Sequence, residues 1–262
     1  MTQHDDRHLD GLLEATETVH EHELAATRAA GEVIRDARTE RSRRDLLRLL
    51  GAGGAAAIGG AAAFPLLAGA KPSGADVKTV QFAIRFELFA VAAYKMAGQA
   101  ARKLGLTKGQ VAAATLFAGH HTQHAEAEIA FLKGMGAEAP STALQGDAEL
   151  KPIGLSNAAL KQAFSSGTGA LTAALYLEEL AAKTYSDFAV KTRDRTVADF
   201  AWSIAPVEES HGQYLRAALG RTPQTATFSA AIKPIATSEI LAAARPAAAA
   251  ASVTTAMPTV TG

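Results

Sequence analysis

The stretch Val207-Glu208-Glu209-Ser210-His211 sets an acid and an imidazole three residues apart on a stripe that is otherwise apolar. Followed outward, the stripe is Ala201, Ile204, Glu208, His211, Leu215 and Ala218, at spacings of 3, 4, 3, 4 and 3. That is the inward seam of a bundle helix over about 196–219. Ala114, Phe117, His121, His124, Glu128 and Phe131 form the same kind of stripe, opened by the capping-box sequence Thr107-Lys108-Gly109-Gln110 and stopped by Gly134 and Gly136. Two further seams carry an acid without an imidazole. They are Val80, Ile84, Glu87, Val91 and Tyr94 over about 76–103, and Leu171, Leu175, Glu178, Ala182 and Tyr185 over about 168–191, each at spacings of 4, 3, 4 and 3.

The connections arrange these four helices. Gly105 ends the first, and the short link to the second makes the two antiparallel neighbours. From Met135 to Leu155 runs a stretch with Pro140, Gly146, Pro152 and Gly154, long enough to cross the length of a bundle, and a short helix capped by Ser156 follows it. Glu87 to Glu178 and Tyr94 to Tyr185 are both 91 residues, while His121 to Glu208 and His124 to His211 are both 87. Equal offsets point to a duplicated hairpin. The expected fold is all-α, a four-helix bundle built from two duplicated helix hairpins with a long crossover connection.

Composition agrees. The 262 residues are 48% apolar and only 6% aromatic, rich in Ala and free of Cys, which favours helices and excludes disulfides, thiolate metal sites and Cys nucleophiles. With 26 basic and 26 acidic residues the chain lacks the basic excess of a nucleic-acid binder.

The chain divides into four parts: a charged leader, 1–40; a signal or anchor, 41–70; the bundle, 71–220; and an Ala/Pro/Thr-rich extended tail, 221–262. Ser42-Arg43-Arg44-Asp45-Leu46-Leu47-Arg48 precedes the uncharged, Gly-rich run Leu49–Ala70 and resembles the signal read by the twin-arginine translocation machinery. Ala68-Gly69-Ala70 offers a small-x-small cleavage site, so the mature chain is expected to start at Lys71, outside the cytoplasmic membrane in the periplasm or cell envelope. Uncleaved, residues 49–70 would be a membrane anchor. The leader is expected to be disordered. It shows a weak helical pattern at Leu9, Leu12 and Leu13, and its His20-Glu21-His22 could touch metal but reads more simply as a solvated face, so no function is assigned to it.

Residues 71–262 hold four His, all within His120-His121-x-x-His124 and Glu208-x-x-His211. A lone buried Glu costs several kcal/mol unless paired or neutralised, yet three Glu and three His meet on the four seams. Residues three apart on a helix face the same way, so a Glu-x-x-His pair presents an oxygen and a nitrogen to one metal. Phe82-Ala83-Ile84-Arg85-Phe86-Glu87 with Tyr94, Leu175-Tyr176-Leu177-Glu178-Glu179 with Tyr185, and Val207–His211 resemble the ferritin-like superfamily, near the bacterial group related to plant desiccation-related proteins. The resemblance covers about 76–220. It implies a di-metal carboxylate site with Glu87 and Glu178 as terminal ligands, His124 and His211 as nitrogen ligands, Glu208 as a bridging carboxylate, and Tyr94 and Tyr185 hydrogen-bonded behind the carboxylates.

Position 121 departs from that pattern, because His stands where a second bridging Glu is expected. A neutral imidazole has one free lone pair and the ligand charge falls from four negatives to three. The outcomes are a di-metal site with one bridge, a site selecting Mn, Zn or Cu in place of Fe, or a single-metal remnant. Glu128, one heptad beyond His121, has Leu215 as its counterpart and is a weak substitute; His120 lies off the seam; Glu179 and Glu209 read as solvated and Trp202 as packing. The implied function is an exported metal-binding protein with two metal ions that oxidises Fe(II) or reduces peroxide or O2, a manganese-dependent peroxide-removing enzyme being the close variant. The alternatives are a non-enzymatic stress protein with a degenerate site and a metal-sequestration module. Homo-oligomerisation stays open.

Overall fold

The computed structural model describes residues 9–22, 25, 73–221, 233–236 and 238–240. Residues 9–22 form helix α1. The remaining helices are α2 (Gly74–Gln99), the one-turn α3 (Ala101–Leu104), α4 (Lys108–Gly134), the short α5 (Gly146–Leu150) and α6 (Asn157–Ala163), α7 (Gly167–Lys191) and α8 (Arg195–Ala218), with a 3-10 turn at Lys151–Ile153. Among the described residues there is no strand. The architecture is the expected four-helix bundle, in which α2 packs on α4 and α7 on α8 as two antiparallel hairpins.

The caps explain where the long helices begin. Thr107 and Gln110 make the expected capping box at α4, and Ser73 with Asp76 makes another at α2. Ser156 caps α6 and Ser166 caps α7, while the Asp194 carboxylate accepts from Thr196 and Val197 N–H at the start of α8. The first helix breaks at Ala100, four residues short of its expected end, and the chain turns at Gly105 in the left-handed conformation. Of the seam residues, only Val91, Leu171 and Ala218 are not fully buried.

The crossover is pinned to α2 by two side chains, Gln81, which donates to the Glu138 carbonyl, and Arg85. Arg85 donates to the carbonyls of Thr142 and Ala143 and pairs with Glu149 at 2.6 Å, while Leu144 N–H donates back to the Arg85 carbonyl. Leu144, Leu150 and Ile153 then fill one end of the core. At the other end α7 starts against the α3 turn, where a Cβ on Gly167 would stand 2.5 Å from the Leu104 carbonyl oxygen. Backbone must move to admit it, so Gly167→Ala is expected to destabilise the fold by about 1–3 kcal/mol in urea unfolding, the scale of an overpacked site. An unchanged midpoint would show that the α3 turn yields freely.

Residues 9–22 depart from the disordered leader expected over 1–40. They form a helix whose stripe Leu9, Leu13, Thr16 and His20 repeats the 4, 3, 4 seam spacing; it buries Leu9 and His20 against α4, and Thr16 is buried between them. In the tail, Ile235 and Ile240 are buried in the core cluster, and Ile235 N–H donates to Thr184 on α7. The paired arginines Arg43-Arg44, the run 49–70 and its cleavage site lie outside the described residues. Among the described residues no helix is long and apolar enough to cross a membrane.

Candidate metal centre

Glu87 on α2, His121 and His124 on α4, Glu178 on α7, and Glu208 and His211 on α8 meet at one depth, none more than 3% exposed. The 3-and-4 spacing turns each inward, and the equal offsets bring the two hairpins into register. Two overlapping groups could each hold a metal ion, Glu87, His121, His124 and Glu208 on one side and His121, Glu178, Glu208 and His211 on the other, with candidate ligand atoms within 4.8 Å of one another.

Glu208 and His121 belong to both groups and divide between them. Glu208 Oε1 lies 2.9 Å from His124 Nδ1, and its Oε2 lies 3.4 Å from His211 Nδ1. His121 Nδ1 lies 2.7 Å from Glu87 Oε2, and its Nε2 lies 3.2 Å from Glu178 Oε1. Both Glu208 oxygens and His124 Nδ1 are buried without a hydrogen bond of normal geometry. Orphaned buried acceptors aimed at one another are costly unless a cation lies between them, and this donor set suits a divalent ion held by nitrogen and oxygen.

Without metal, protons take that place. Burial alone would push Glu87 up, but His121 and His124 outweigh it and hold Glu87 down at about 2; Glu178 is lowered the same way by His121 and His211. Burial opposes charge on His124, yet the close Glu208 and Glu87 carboxylates lift it to about 9, and the carboxylates raise His121 and His211 against the same penalty. The raised His124 contributes stability that is complete below its ordinary value of 6.5 and lost as pH rises through about 9. The lowered Glu87 contributes stability that is complete above 4.5 and lost as pH falls through about 2. Metal-free protein is therefore expected to weaken from pH 7 to 9 in urea unfolding, as the raised imidazoles lose their protons, while metal, which needs the imidazoles deprotonated, binds more tightly over the same rise. A flat apo profile across pH 6–9 would contradict this network.

The tyrosines cross between the hairpins. Tyr94 on α2 hydrogen-bonds to Glu178 on α7, and Tyr185 on α7 to Glu87 on α2, at 2.5 Å in the second case. Tyr185 Oη also lies 2.7 Å from Glu128 Oε1. One hydroxyl has one proton, so Glu128, pushed well up by burial and by the Glu87 charge, is the protonated acid that donates to Tyr185. Glu128 thus belongs to the support and to neither candidate metal group.

Three residues sit differently from the sequence reading. Glu179, read as solvated, is buried in an ion pair with Arg216 on α8. Trp202, read as packing, is 48% exposed. His20, in the unassigned leader, is 1% exposed, stacked on His120 with ring centroids 3.8 Å apart and 5.1 Å from the His124 ring. The Leu9, Leu13, Thr16, His20 spacing was the available signal. His120, off the seam, is buried too. Its Nε2 lies 2.8 Å from the Glu17 carboxylate, which can only accept, and its Nδ1 lies 2.9 Å from His211 Nε2. Burial and the surrounding imidazoles keep His120 neutral, so His211 Nε2–H donates to it and His211 Nδ1 is left facing Glu178 and Glu208.

An apolar cavity of about 50 Å³ reaches this cluster. Ala90, Ala93, Ala113, Ala114 and Ala174 wall it, and it ends on Tyr94, His121 and Glu178.

A family model described as a ferritin-like domain matches residues 75–221. No curated protein and no solved structure matches the chain significantly.

Proposed function

Because the chain belongs to the ferritin-like domain family, we propose that its buried Glu and His cluster is a two-metal redox centre that oxidises Fe(II) or reduces peroxide or dioxygen. The observation that carries this reading is the pair of four-residue groups that share Glu208 and His121. Glu87 and His124 would hold one ion and Glu178 and His211 the other, with Glu208 giving one oxygen to each. His121, as a neutral imidazole, would ligate on one side and donate its remaining N–H to a carboxylate on the other. Iron is the first candidate; Mn, Zn and Cu follow, because a third imidazole suits them and lowers the negative charge.

The ions would supply the electron transfer. The protein's own part is positional. Tyr94 and Tyr185 hold Glu178 and Glu87 at fixed orientation, and the His211–His120 contact fixes which His211 nitrogen faces the centre. The alanine-walled cavity admits a molecule of a few heavy atoms and little bulk water, which fits dioxygen or peroxide. We further place this chemistry outside the cytoplasm, on the evidence of Arg43-Arg44 and the uncharged run after Arg48.

A second reading has one observation in its favour. Three Glu face three His in a network that neutralises itself with protons alone, so the bundle could persist as a stress protein with a degenerate site. Metal content of the full chain, purified without added metal and measured by inductively coupled plasma mass spectrometry, separates the two. About two Fe or Mn per chain with oxidation of added Fe(II) or loss of added peroxide supports the redox centre. Metal held without turnover favours sequestration, and no metal above background favours the stress protein.

A further inference from the structure

Helix α1 reaches the centre from a part of the chain outside the matched domain. Leu9, 5% exposed, joins the apolar cluster of Tyr94, Ala113, Ala114, Phe117 and Ala118, and Thr16 is 2% exposed one turn before the histidines. His20 lies flat on His120 and beside His124, while Glu17 accepts from His120. Leu9 to His20 spans roughly 17 Å of helix, about the length of α4 from Ala113 to His124. One face of α4 is therefore covered by α1 from the cavity wall to the candidate ligand His124.

The covering is of a kind that can come off. A helix of this length is marginal by itself in water, so its order depends on docking. Beyond Leu9, Leu12 and Leu13 its inner face carries Thr16, Glu17 and His20, and neither ring nitrogen of His20 makes a hydrogen bond of normal geometry. Buried polar atoms left in that state oppose docking. The sequence joining α1 to α2 contains the paired arginines and the small-x-small site, so a single backbone cut there would sever α1 from the bundle.

Resting on the two-metal reading above, we propose that α1 is an intramolecular cap on the metal centre, which closes the His120–His124 side to divalent cations while docked and opens it when the segment is displaced or cut away. Two effects act together. The helix shields His120 and His124 from solvent, and Glu17 orients His120, which in turn orients His211; outer partners of this kind change metal affinity by about 10–100-fold.

Cobalt(II) is the probe, because its visible absorbance reports ligation without turnover. The full chain is loaded with cobalt, mixed with excess EDTA, and the rate of release is compared with that of Leu9→Asp/Thr16→Asp, which alters the contact away from the candidate ligands. In parallel, a protease site inserted between Gly51 and Ala52 of an otherwise unaltered chain allows α1 to be cut free and washed out. Release about ten-fold or more faster in both forms, with cobalt per chain unchanged and hydrogen exchange faster along 113–124, is the expected result. Parental release rates in the cut and washed chain overturn the cap even if the substituted form differs. If the unaltered chain takes up no cobalt at all, the two-metal reading fails first, before any variant is compared, and the cap falls with it.

Discussion

On the two-metal reading, Glu208→Gln is expected to remove both metal ions at once, taking bound metal from about two per chain to background. No other residue serves the two groups with a separate oxygen each: Oε1 faces His124, Oε2 faces His211, and neither has a hydrogen bond of normal geometry. The amide keeps the volume and removes the charge, so each position loses an anionic ligand while the packing stays. The metal-free fold should suffer too. His121, His124 and His211 are raised by the surrounding carboxylates, and with Glu208 neutralised a buried positive charge is left without its partner. Breaking a buried ion pair from one side costs about 3–5 kcal/mol, part of which the imidazoles recover by losing a proton. Metal analysis and urea unfolding at pH 6 and pH 8 check both halves, the loss being larger at pH 6, because at pH 8 the unfolded chain has given up its imidazole protons and part of the native charge-pair stabilisation is already gone. Retention of two ions per chain would exclude Glu208 as the shared ligand.

His121→Glu is expected to act in the opposite direction on metal and in the same direction on the apo fold. His121 spans the groups with Nδ1 toward Glu87 and Nε2 toward Glu178, but a neutral ring has one lone pair to give. On the two-metal reading the native positions would therefore be unequal, one with four protein ligands and one with three, and cobalt titration should show two affinities. A carboxylate at 121 can serve both, so the affinities should converge, with the weaker site tightening on the order of a hundred-fold, the upper end of what ligand-shell changes produce. Without metal the same change sets four Glu against two His in a buried space, and apo stability should fall by several kcal/mol. Stability with saturating metal minus stability without it is the sensitive readout, since ligand bound only to the folded state adds to it by mass action. Unchanged titration and unchanged Fe(II) oxidation would remove position 121 from the chemistry.

The bundle was legible in the sequence because burial on a helix recurs every three or four residues and polar exceptions on such a seam are expensive. Glu87, Glu178, Glu208, His121, His124 and His211 stood out for that reason, and their equal offsets anticipated the common depth at which the structure places them. Seam reasoning works less well where a helix is covered on more than one side. On α7 every residue from Leu177 to Ala182 is buried, so Glu179, one step off the seam, is interior and paired with Arg216 rather than solvated. Glu128 and Tyr185 belong to different hairpins, and a hydroxyl shared between two acids needs three-dimensional placement to be seen. Helix α1 was hidden by composition. Past Leu9, Leu12 and Leu13 its inner face carries Thr16, Glu17 and His20 where a core helix would carry Leu or Ile, and a polar amphipathic segment reads as solvated until its partner is known.

Each tyrosine reaches out of its own hairpin to a carboxylate in the other, Tyr94 to Glu178 and Tyr185 to Glu87. An interaction that closes on itself by exchange is what a two-fold dimer of a single hairpin would make, every contact appearing twice. In such a dimer any substitution at the shared position would also appear twice, giving two Glu or two His and never one of each. Joining the halves with a crossover, pinned here by Arg85, releases the position occupied by His121 from the one occupied by Glu208. Unequal ion sites would thus be a property that covalent fusion makes accessible and that a self-associating half-length chain could not encode.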